Sequence, residues 1–198
     1  MIKEQTLVII KPDGIQRTLL GEIIGRLERV GLKLVGIKMI IPPDELIKKH
    51  YTIDPEWIEK AGQKAINAYL EKNQEPKTKN PTEAGEKILD VLIKYMTSGP
   101  VVAMVWQGAN SVGVVRKIVG TTEPLTSDVG TIRGDFVLDS YKIADIDERA
   151  VRNLVHASGT VEEAEKEVKL WFDDSEIASY RLVQEQIIYD VNLDGILE

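Results

Sequence analysis

The chain reads Thr6-Leu7-Val8-Ile9-Ile10-Lys11-Pro12-Asp13-Gly14 in its first part. The first five of these residues form a continuous, mostly β-branched run, which is typical of a strand buried on both faces. The next four predict a tight turn, because proline fixes one backbone dihedral and glycine relieves the exit from the turn. We therefore expect a central strand with Lys11 at its end.

Further strand patterns lie at residues 33–41, 101–106 and 151–156. Amphipathic or well-capped helical patterns separate them, at residues 20–30, 44–50, 55–72, 82–96, 110–119 and from 160 onwards. Polar or glycine-rich loops are expected at residues 73–81 and 120–134, and a short edge strand at residues 186–191. This order predicts an α+β, ferredoxin-like βαββαβ sandwich, in which helices cover an antiparallel sheet, with an added helical insertion.

Composition narrows the classes of protein that the chain can belong to. Its 198 residues, 43% of them hydrophobic, suit one domain with a well-formed core. No apolar run approaches the ~18 residues that a membrane span needs, and no signal-peptide pattern is present, so we expect a cytoplasmic protein. With no cysteine and two histidines, disulfides, thiolate metal sites and multi-histidine metal sites are excluded.

The net charge of −7 argues against broad electrostatic binding to nucleic acid, although it leaves room for a small cationic pocket. The chain has no P-loop motif, no dinucleotide fingerprint, no nucleophile elbow and no calcium loop. Any nucleotide chemistry must therefore use a different architecture.

A histidine stands at the end of the last strand pattern, where the run Asn153-Leu154-Val155-His156-Ala157-Ser158 leads into a helix start. Imidazole is well suited to act as a nucleophile near neutral pH. Three cations, Lys11, Arg116 and Arg133, also lie at element ends or in loops. Cations around a nucleophile suit phosphoryl transfer. A structural histidine and solvated surface charges remain the alternative interpretation at this point.

Seven blocks of sequence together resemble the nucleoside diphosphate kinase family, and they occur in the family's order. They are residues 6–17, 36–39, 50–51, 95–106, 130–136, 153–158 and 163–172. The resemblance implies transfer of the terminal phosphate of a nucleoside triphosphate to a nucleoside diphosphate by a ping-pong route. In this family a histidine carries the phosphate between the two half-reactions, and His156 matches that histidine.

The resemblance also implies roles for other residues. Glu167 matches the residue that fixes the histidine tautomer, and Lys11 matches a lysine near the transferred phosphate. The expected substrate-binding residues are Lys11, Tyr51, Arg116, Thr122, Arg133, Asn153 and Ser158. In this family Mg²⁺ arrives bound to the nucleotide phosphates, so we expect no metal site formed by the protein itself.

Two insertions distinguish the chain from family members of usual length, at about residues 54–84 and 139–149. A long insertion beside the nucleotide site resembles archaeal members of the family. The first insertion falls where the family supplies an aromatic that stacks on the base. Trp57 or a residue near Ile93 is a candidate to replace it.

The leading hypothesis is an active nucleoside diphosphate kinase that forms a homo-oligomer, with a hexamer favoured over a tetramer. One alternative is a catalytically silent, nucleotide-sensing or scaffolding member of the same fold. Another is a module that binds single-stranded RNA on its sheet. That alternative is disfavoured by a content of only two phenylalanines and by the negative charge.

Overall fold

The protein is described by a computed structural model that covers residues 4–71 and 73–189. Four strands form one sheet in the order β2-β3-β1-β4, and every pairing is antiparallel. They are β1 (Glu4–Ile10), β2 (Lys33–Ile40), β3 (Val101–Gly108) and β4 (Val155–Ala157). This arrangement confirms the predicted α+β class with an antiparallel sheet.

Helices connect and cover the strands. In chain order they are α1 (Pro12–Gln16), α2 (Leu20–Arg29), α3 (Asp44–Tyr51), α4 (Trp57–Glu71), α5 (Pro81–Met96), α6 (Ser111–Val119), α7 (Ile132–Phe136), α8 (Tyr141–Ile146), α9 (Val161–Trp171) and α10 (Glu185–Tyr189). Short 3₁₀ turns occur at Pro124–Thr126 and Asp174–Glu176. No helix in the part of the chain that the structure describes is long and apolar enough to cross a bilayer.

Apolar cores lie on both faces of the sheet, because successive residues of β1 point to opposite sides. Val8 and Ile10 face a core that α2 and α6 complete. Leu7 and Ile9 face a second core, to which α3, α5 and α9 contribute. All four side chains are fully buried, and burial of each stabilises the fold by about 1.5–3 kcal/mol. The two covered faces leave β1 and β3 no open surface on which RNA bases could stack.

Several local predictions were wrong, and each error has a physical reason. The turn after β1 continues into α1, because proline is well suited to the first helical position. Residues 132–136 form a one-turn helix within the predicted loop, capped by the Thr131 side chain. The strand predicted at 151–156 shortens to Val155–Ala157, because Leu154 has a φ of 64°, which interrupts an extended chain. Glu185–Tyr189 is helical where a strand was expected, and residues 190 and 191 lie outside the described residues.

The helices predicted at residues 55–72 and 82–96 are present as α4 and α5, and they pack against each other as an antiparallel hairpin. The helices touch through their backbones at two glycines. A Cβ at Gly62 would lie 1.8 Å from the Pro81 carbonyl oxygen, and one at Gly85 would lie 1.9 Å from the Ile58 carbonyl oxygen. Only glycine permits this approach, so the two positions fix how the hairpin closes.

The second insertion is closed at its base by an ion pair. Arg149 donates two hydrogen bonds to the Asp139 carboxylate, at 2.6 and 3.0 Å. Asp139 also accepts the Arg152 backbone N–H. Next to this ion pair, Glu148 pairs with Lys77, which lies in the first predicted insertion, at 3.0 Å. The two segments predicted to be insertions therefore meet in space although they are distant in sequence.

Candidate active site

His156 lies on β4, where its backbone pairs with Ile9 of the central strand. The chain then turns at once into α9, whose first turn is capped by the Thr160 side chain. This short connection brings Glu167, on the inward face of α9, beneath the histidine. Glu167 is 1% exposed, whereas Val161 at the start of the same helix is exposed.

The Glu167 carboxylate links His156 to Ser158. Its Oε1 lies 2.8 Å from His156 Nε2, and its Oε2 accepts a 2.6 Å hydrogen bond from the Ser158 hydroxyl. Ser158 Oγ also accepts the Leu7 backbone N–H, which ties it to β1. The Nε2–H direction is not aligned with Oε1 in this conformation. Catalytic hydrogen bonds are often poorly aligned before substrate binds.

A second buried histidine, His50 at the end of α3, contacts the same carboxylate. Its Nδ1 lies 3.4 Å from Glu167 Oε1 and accepts a 3.2 Å hydrogen bond from the indole N–H of Trp171. The ring of His50 meets the ring of His156 edge to face, with centroids 4.4 Å apart and planes at 82°. His50 and Trp171 thus pack directly behind the predicted nucleophile.

The charge states follow from burial and from the nearby cations. Burial, then the charges of Lys11 and Arg133, lowers the pKa of His156 to about 3, so its imidazole is neutral at physiological pH. Burial and the neighbouring His156 lower the pKa of His50 to about 3. Burial raises the pKa of Glu167 above the ordinary glutamate value, although His50 and the Ser158 hydrogen bond oppose the shift.

Lys11 and Asn153 form the adjacent part of the site. Lys11 Nζ donates a 2.7 Å hydrogen bond to Asn153 Oδ1 and lies 5.2 Å from the centre of the Tyr95 ring. The Asn153 amide in turn donates to the Thr122 carbonyl oxygen at 3.0 Å. Burial, followed by repulsion from Arg133, lowers the pKa of Lys11 to about 7.

Arg133 is buried and organises the backbone around the site. It donates to the carbonyl oxygens of Asn153, Val155, Gly120 and Thr121. These bonds use four of the five N–H groups that a guanidinium offers. Burial and the charge of Arg116 lower the pKa of Arg133 to about 10. Asn153 and Val155 flank Leu154, whose left-handed backbone Arg133 therefore holds from both sides.

Leu154 is also held by the loop that follows β1. Its N–H donates to Asp13 Oδ2 at 3.2 Å, and its carbonyl oxygen accepts the Lys11 backbone N–H at 2.8 Å. Asp13 receives a 2.6 Å hydrogen bond from the Tyr95 hydroxyl through its other oxygen. A left-handed non-glycine residue costs of order 1–3 kcal/mol and persists only when its surroundings enforce it.

Of the three remaining predicted residues, two are exposed and one is partly buried. Arg116 and Thr122 are exposed, and Arg116 forms no ion pair with any described residue. It lies close enough to lower the pKa values of His156 and Arg133. Tyr51 ends α3, and burial raises the pKa of its phenol. The structure thus brings Lys11, Asn153, Arg133, Ser158 and Glu167 around His156, whereas Tyr51 packs against His50.

Trp57 and Ile93, which mark the two candidate positions for the base-stacking aromatic, have different surroundings. The Trp57 ring packs against Tyr51, with centroids 5.4 Å apart. Ile93 instead packs into the core beneath the sheet. Trp57 is therefore the residue of the first insertion that lies beside the predicted site.

Sequence reasoning gave no role to His50, Trp171, Asp13 or Tyr95. His50 and Trp171 entered only as members of two matching blocks, residues 50–51 and 163–172. The low histidine content could have drawn attention to His50, because the chain has only two histidines in 198 residues. Ligand atoms of His50, His156 and Glu167 lie within 4.8 Å of one another, a spacing that suits a metal ion. Hydrogen bonds from Trp171 and Ser158 already engage two of the three residues, so the geometry favours a proton-sharing network.

A nucleoside diphosphate kinase family model matches residues 4–57 and 56–177. The nucleoside diphosphate kinase of Pyrobaculum aerophilum is 47% identical over 178 residues, covering 88% of this chain and 97% of that protein. The enzyme of Archaeoglobus fulgidus is 42% identical over 187 residues, covering 94% and 98%.

Two solved structures share the fold. A crystal structure of the NDP kinase from Pyrobaculum aerophilum matches with a TM-score of 0.86 at 44% identity, covering 90% of this chain and all of that one. The Borrelia burgdorferi enzyme, a transition-state mimic with vanadate and ADP, matches with a TM-score of 0.77 at 36% identity, covering 94% and 97%. The chain belongs to the nucleoside diphosphate kinase family of phosphotransferases, and its relatives include archaeal members.

Proposed function

We propose that the chain transfers the γ-phosphate of a nucleoside triphosphate to a nucleoside diphosphate through a phosphohistidine on Nδ1 of His156. The observation that carries the proposal is the orientation of the ring. Nε2 faces the Glu167 carboxylate at 2.8 Å. The other ring nitrogen, Nδ1, is then free of that carboxylate. A neutral imidazole with its proton on Nε2 has its nucleophilic lone pair on Nδ1.

In the first half-reaction the Nδ1 lone pair attacks the γ-phosphorus, and the bond from that phosphorus to the β,γ-bridging oxygen breaks. The nucleoside diphosphate leaves with the bond electrons. Positive charge that develops on the ring is stabilised by Glu167, which lies at Nε2. The second half-reaction is the reverse, with a different nucleoside diphosphate as acceptor. No external general base is required, because Nδ1 carries no proton.

The cations are suited to bind the phosphates. Lys11, Arg116 and Arg133 lower the pKa of His156, so their positive charges act at its ring. The same field favours the phosphate anions of a nucleotide. Arg116 is the exposed cation of the three. Arg133 has one N–H group left to bind phosphate after its contacts with carbonyl oxygens. We assign Thr122, Tyr51 and Asn153 to substrate contacts on the same basis of position.

Magnesium belongs to the substrate in this proposal. The Asp13 and Glu167 carboxylates are engaged by protein donors. The site therefore suits Mg²⁺ that is held by nucleotide phosphates, where it neutralises charge on the transferred group. The catalytically silent alternative is disfavoured, because the predicted catalytic residues His156, Glu167 and Lys11 are present and close together.

Radiolabelled ATP tests the proposal. The wild-type protein should acquire label that is labile to acid and stable to alkali, and His156→Ala should acquire none. ³¹P NMR of the phosphoprotein should assign the phosphate to Nδ1. The only other histidine is His50, so His50→Phe, which should still be labelled, excludes that residue. Label on His156→Ala would refute the assignment.

The edge of the sheet formed by β2 is suited to association with a second copy of the chain. β2 is an edge strand. Its Ile37 and Met39, and Ile41 just beyond its end, are exposed at 51%, 55% and 69%. An apolar edge of this kind is normally covered by a partner. We propose a homo-oligomer, with a hexamer favoured over a tetramer, in which each subunit is one domain carrying both insertions. Light scattering should give a multimer that Met39→Asp weakens, and a monomeric wild type would contradict this.

A further inference from the structure

The hydrogen bond between Trp171 and His50 determines where His50 carries its proton. The indole N–H can only donate, so the Nδ1 that it contacts at 3.2 Å must accept. A neutral His50 ring consequently has its proton on Nε2. Both residues are buried, at 3% and 4% exposure, so water does not readily replace either partner.

The same Nδ1 atom lies 3.4 Å from Glu167 Oε1. With the proton on Nε2, these two atoms both present lone pairs and cannot share a hydrogen bond. Without the indole N–H, His50 could move its proton to Nδ1 and donate it to Oε1. That bond would compete with the contact between Oε1 and His156 Nε2, which is 2.8 Å long.

The packing leaves little freedom for other arrangements. The His50 ring is edge to face with both His156 and Trp171, at centroid distances of 4.4 and 5.7 Å. The second oxygen of Glu167 is held by Ser158. Lys11 and Tyr51 are the remaining titratable neighbours, since Lys11 acts on the charge of His50 and Tyr51 adjoins it in sequence and space. Neither makes a hydrogen bond to the His50 ring.

We infer that Trp171 and His50 form a tautomer lock, which reserves Glu167 Oε1 for His156 Nε2 and keeps Nδ1 of His156 free of a proton. Both are positioning residues, because they act through Glu167 and do not reach the reacting atoms. The catalytic consequence rests on the proposed phosphohistidine function. The tautomeric states themselves are a property of the resting protein, and they can be measured whether or not that function is correct.

Nitrogen-15 NMR of histidine-labelled protein is the direct test, because the chain has only two histidines and their signals can be assigned by substitution. In the wild type we expect both rings to carry the proton on Nε2. In Trp171→Phe we expect His50 to shift toward the Nδ1–H form and His156 to become a mixture. A wild-type His50 protonated on Nδ1, or unchanged tautomers in Trp171→Phe, would overturn the lock.

Trp106→Phe is the matched control. Trp106 is fully buried, and its indole N–H has no hydrogen-bond partner among the described residues. Its replacement removes similar volume without removing a hydrogen bond. We expect Trp171→Phe to lower kcat on the order of tenfold with little change in KM, because His156 and Glu167 would be misoriented for the reaction. Equal losses of kcat in the two variants would reduce Trp171 to a packing role.

A double variant separates a lock from simple packing. If Trp171 serves to prevent His50 from donating to Glu167, its indole is dispensable once His50 is absent. Trp171→Phe should therefore lower kcat in the wild-type background and have no further effect in a His50→Phe background. His50→Gln, which retains an acceptor for the indole, should be more stable than His50→Phe. Losses of kcat that multiply in the double variant would contradict the proposal.

Discussion

Lys11 donates a 2.7 Å hydrogen bond to Asn153, in a place where burial and Arg133 lower the lysine pKa to about 7. Folding therefore disfavours the protonated form of Lys11. A bound nucleotide supplies the missing negative charge, so we expect substrate to restore the lysine's positive state. The positive charge of Lys11 thus destabilises the nucleotide-free site, and we expect bound nucleotide to relieve this.

Lys11→Met should stabilise the protein while it removes activity. Between pH 7 and 10.5 the unfolded chain binds the Lys11 proton and the native state does not, so stability rises with pH across that window. At pH 7 the substitution should raise the unfolding free energy on the order of 2–4 kcal/mol, with the gain fading toward pH 10.5. Denaturant titrations at both pH values measure it. The exposed Lys117→Met is the control, and an equal gain at both pH values would contradict the prediction.

Glu167→Gln should likewise raise the stability of the protein and lower its activity. Burial raises the pKa of this carboxyl, so its contribution to stability is present at acid pH and is lost as pH rises through the native pKa. We expect Gln to increase the thermal midpoint at pH 7 but not at pH 4. The kcat should fall on the order of tenfold or more, because a neutral amide stabilises a charged ring less well. The exposed Glu165→Gln should change neither quantity, and full activity of Glu167→Gln would exclude the proposed role.

Gly62→Ala should disrupt the α4–α5 hairpin. The added methyl would meet the Pro81 carbonyl oxygen at 1.8 Å, and overpacking of this kind costs about 1–3 kcal/mol. Gly25 in α2 is the control, since a Cβ there meets nothing within 4 Å. Alanine at that position should stabilise by about 0.5–1 kcal/mol through helix propensity. Hydrogen exchange should show faster opening of α4 and α5 in Gly62→Ala only, and protected amides there would contradict the packing.

Trp57→Ala should weaken nucleotide binding more than it slows phosphate transfer. The indole lies beside Tyr51 at the predicted base side, and stacking of a base on an aromatic contributes about 1–3 kcal/mol. We expect KM for nucleoside diphosphates to rise about tenfold with kcat nearly constant. Trp57→Phe should retain most of the affinity. A drop in kcat with unchanged KM would place Trp57 elsewhere in the mechanism.

The parts of the fold that local sequence determines were predictable. Residues 6–10 form a strand because their side chains suit burial on both faces, and 160–163 start a helix because Thr160 caps it. Leu154 was not predictable in this way. Its left-handed backbone is imposed by Arg133 and Asp13, which are distant in the chain.

The same distinction applies to the site. Lys11 directly follows β1 and His156 lies on the neighbouring strand β4, so their convergence followed from topology together with the family resemblance. The role of His50 depends on an indole 121 positions away. No spacing pattern within either segment encodes that contact. The contact between His50 and Trp171 is therefore visible only in the three-dimensional structure.

The strained backbone at Leu154 has a consequence for folding. Three separate elements hold it: the end of β1 through the Lys11 N–H, α1 through Asp13, and α7 through Arg133. We expect that the loss of any one of these contacts lets the backbone relax and displaces His156, two residues later. On the proposed phosphohistidine function, the protein should therefore take phosphate from ATP only after these three elements have docked.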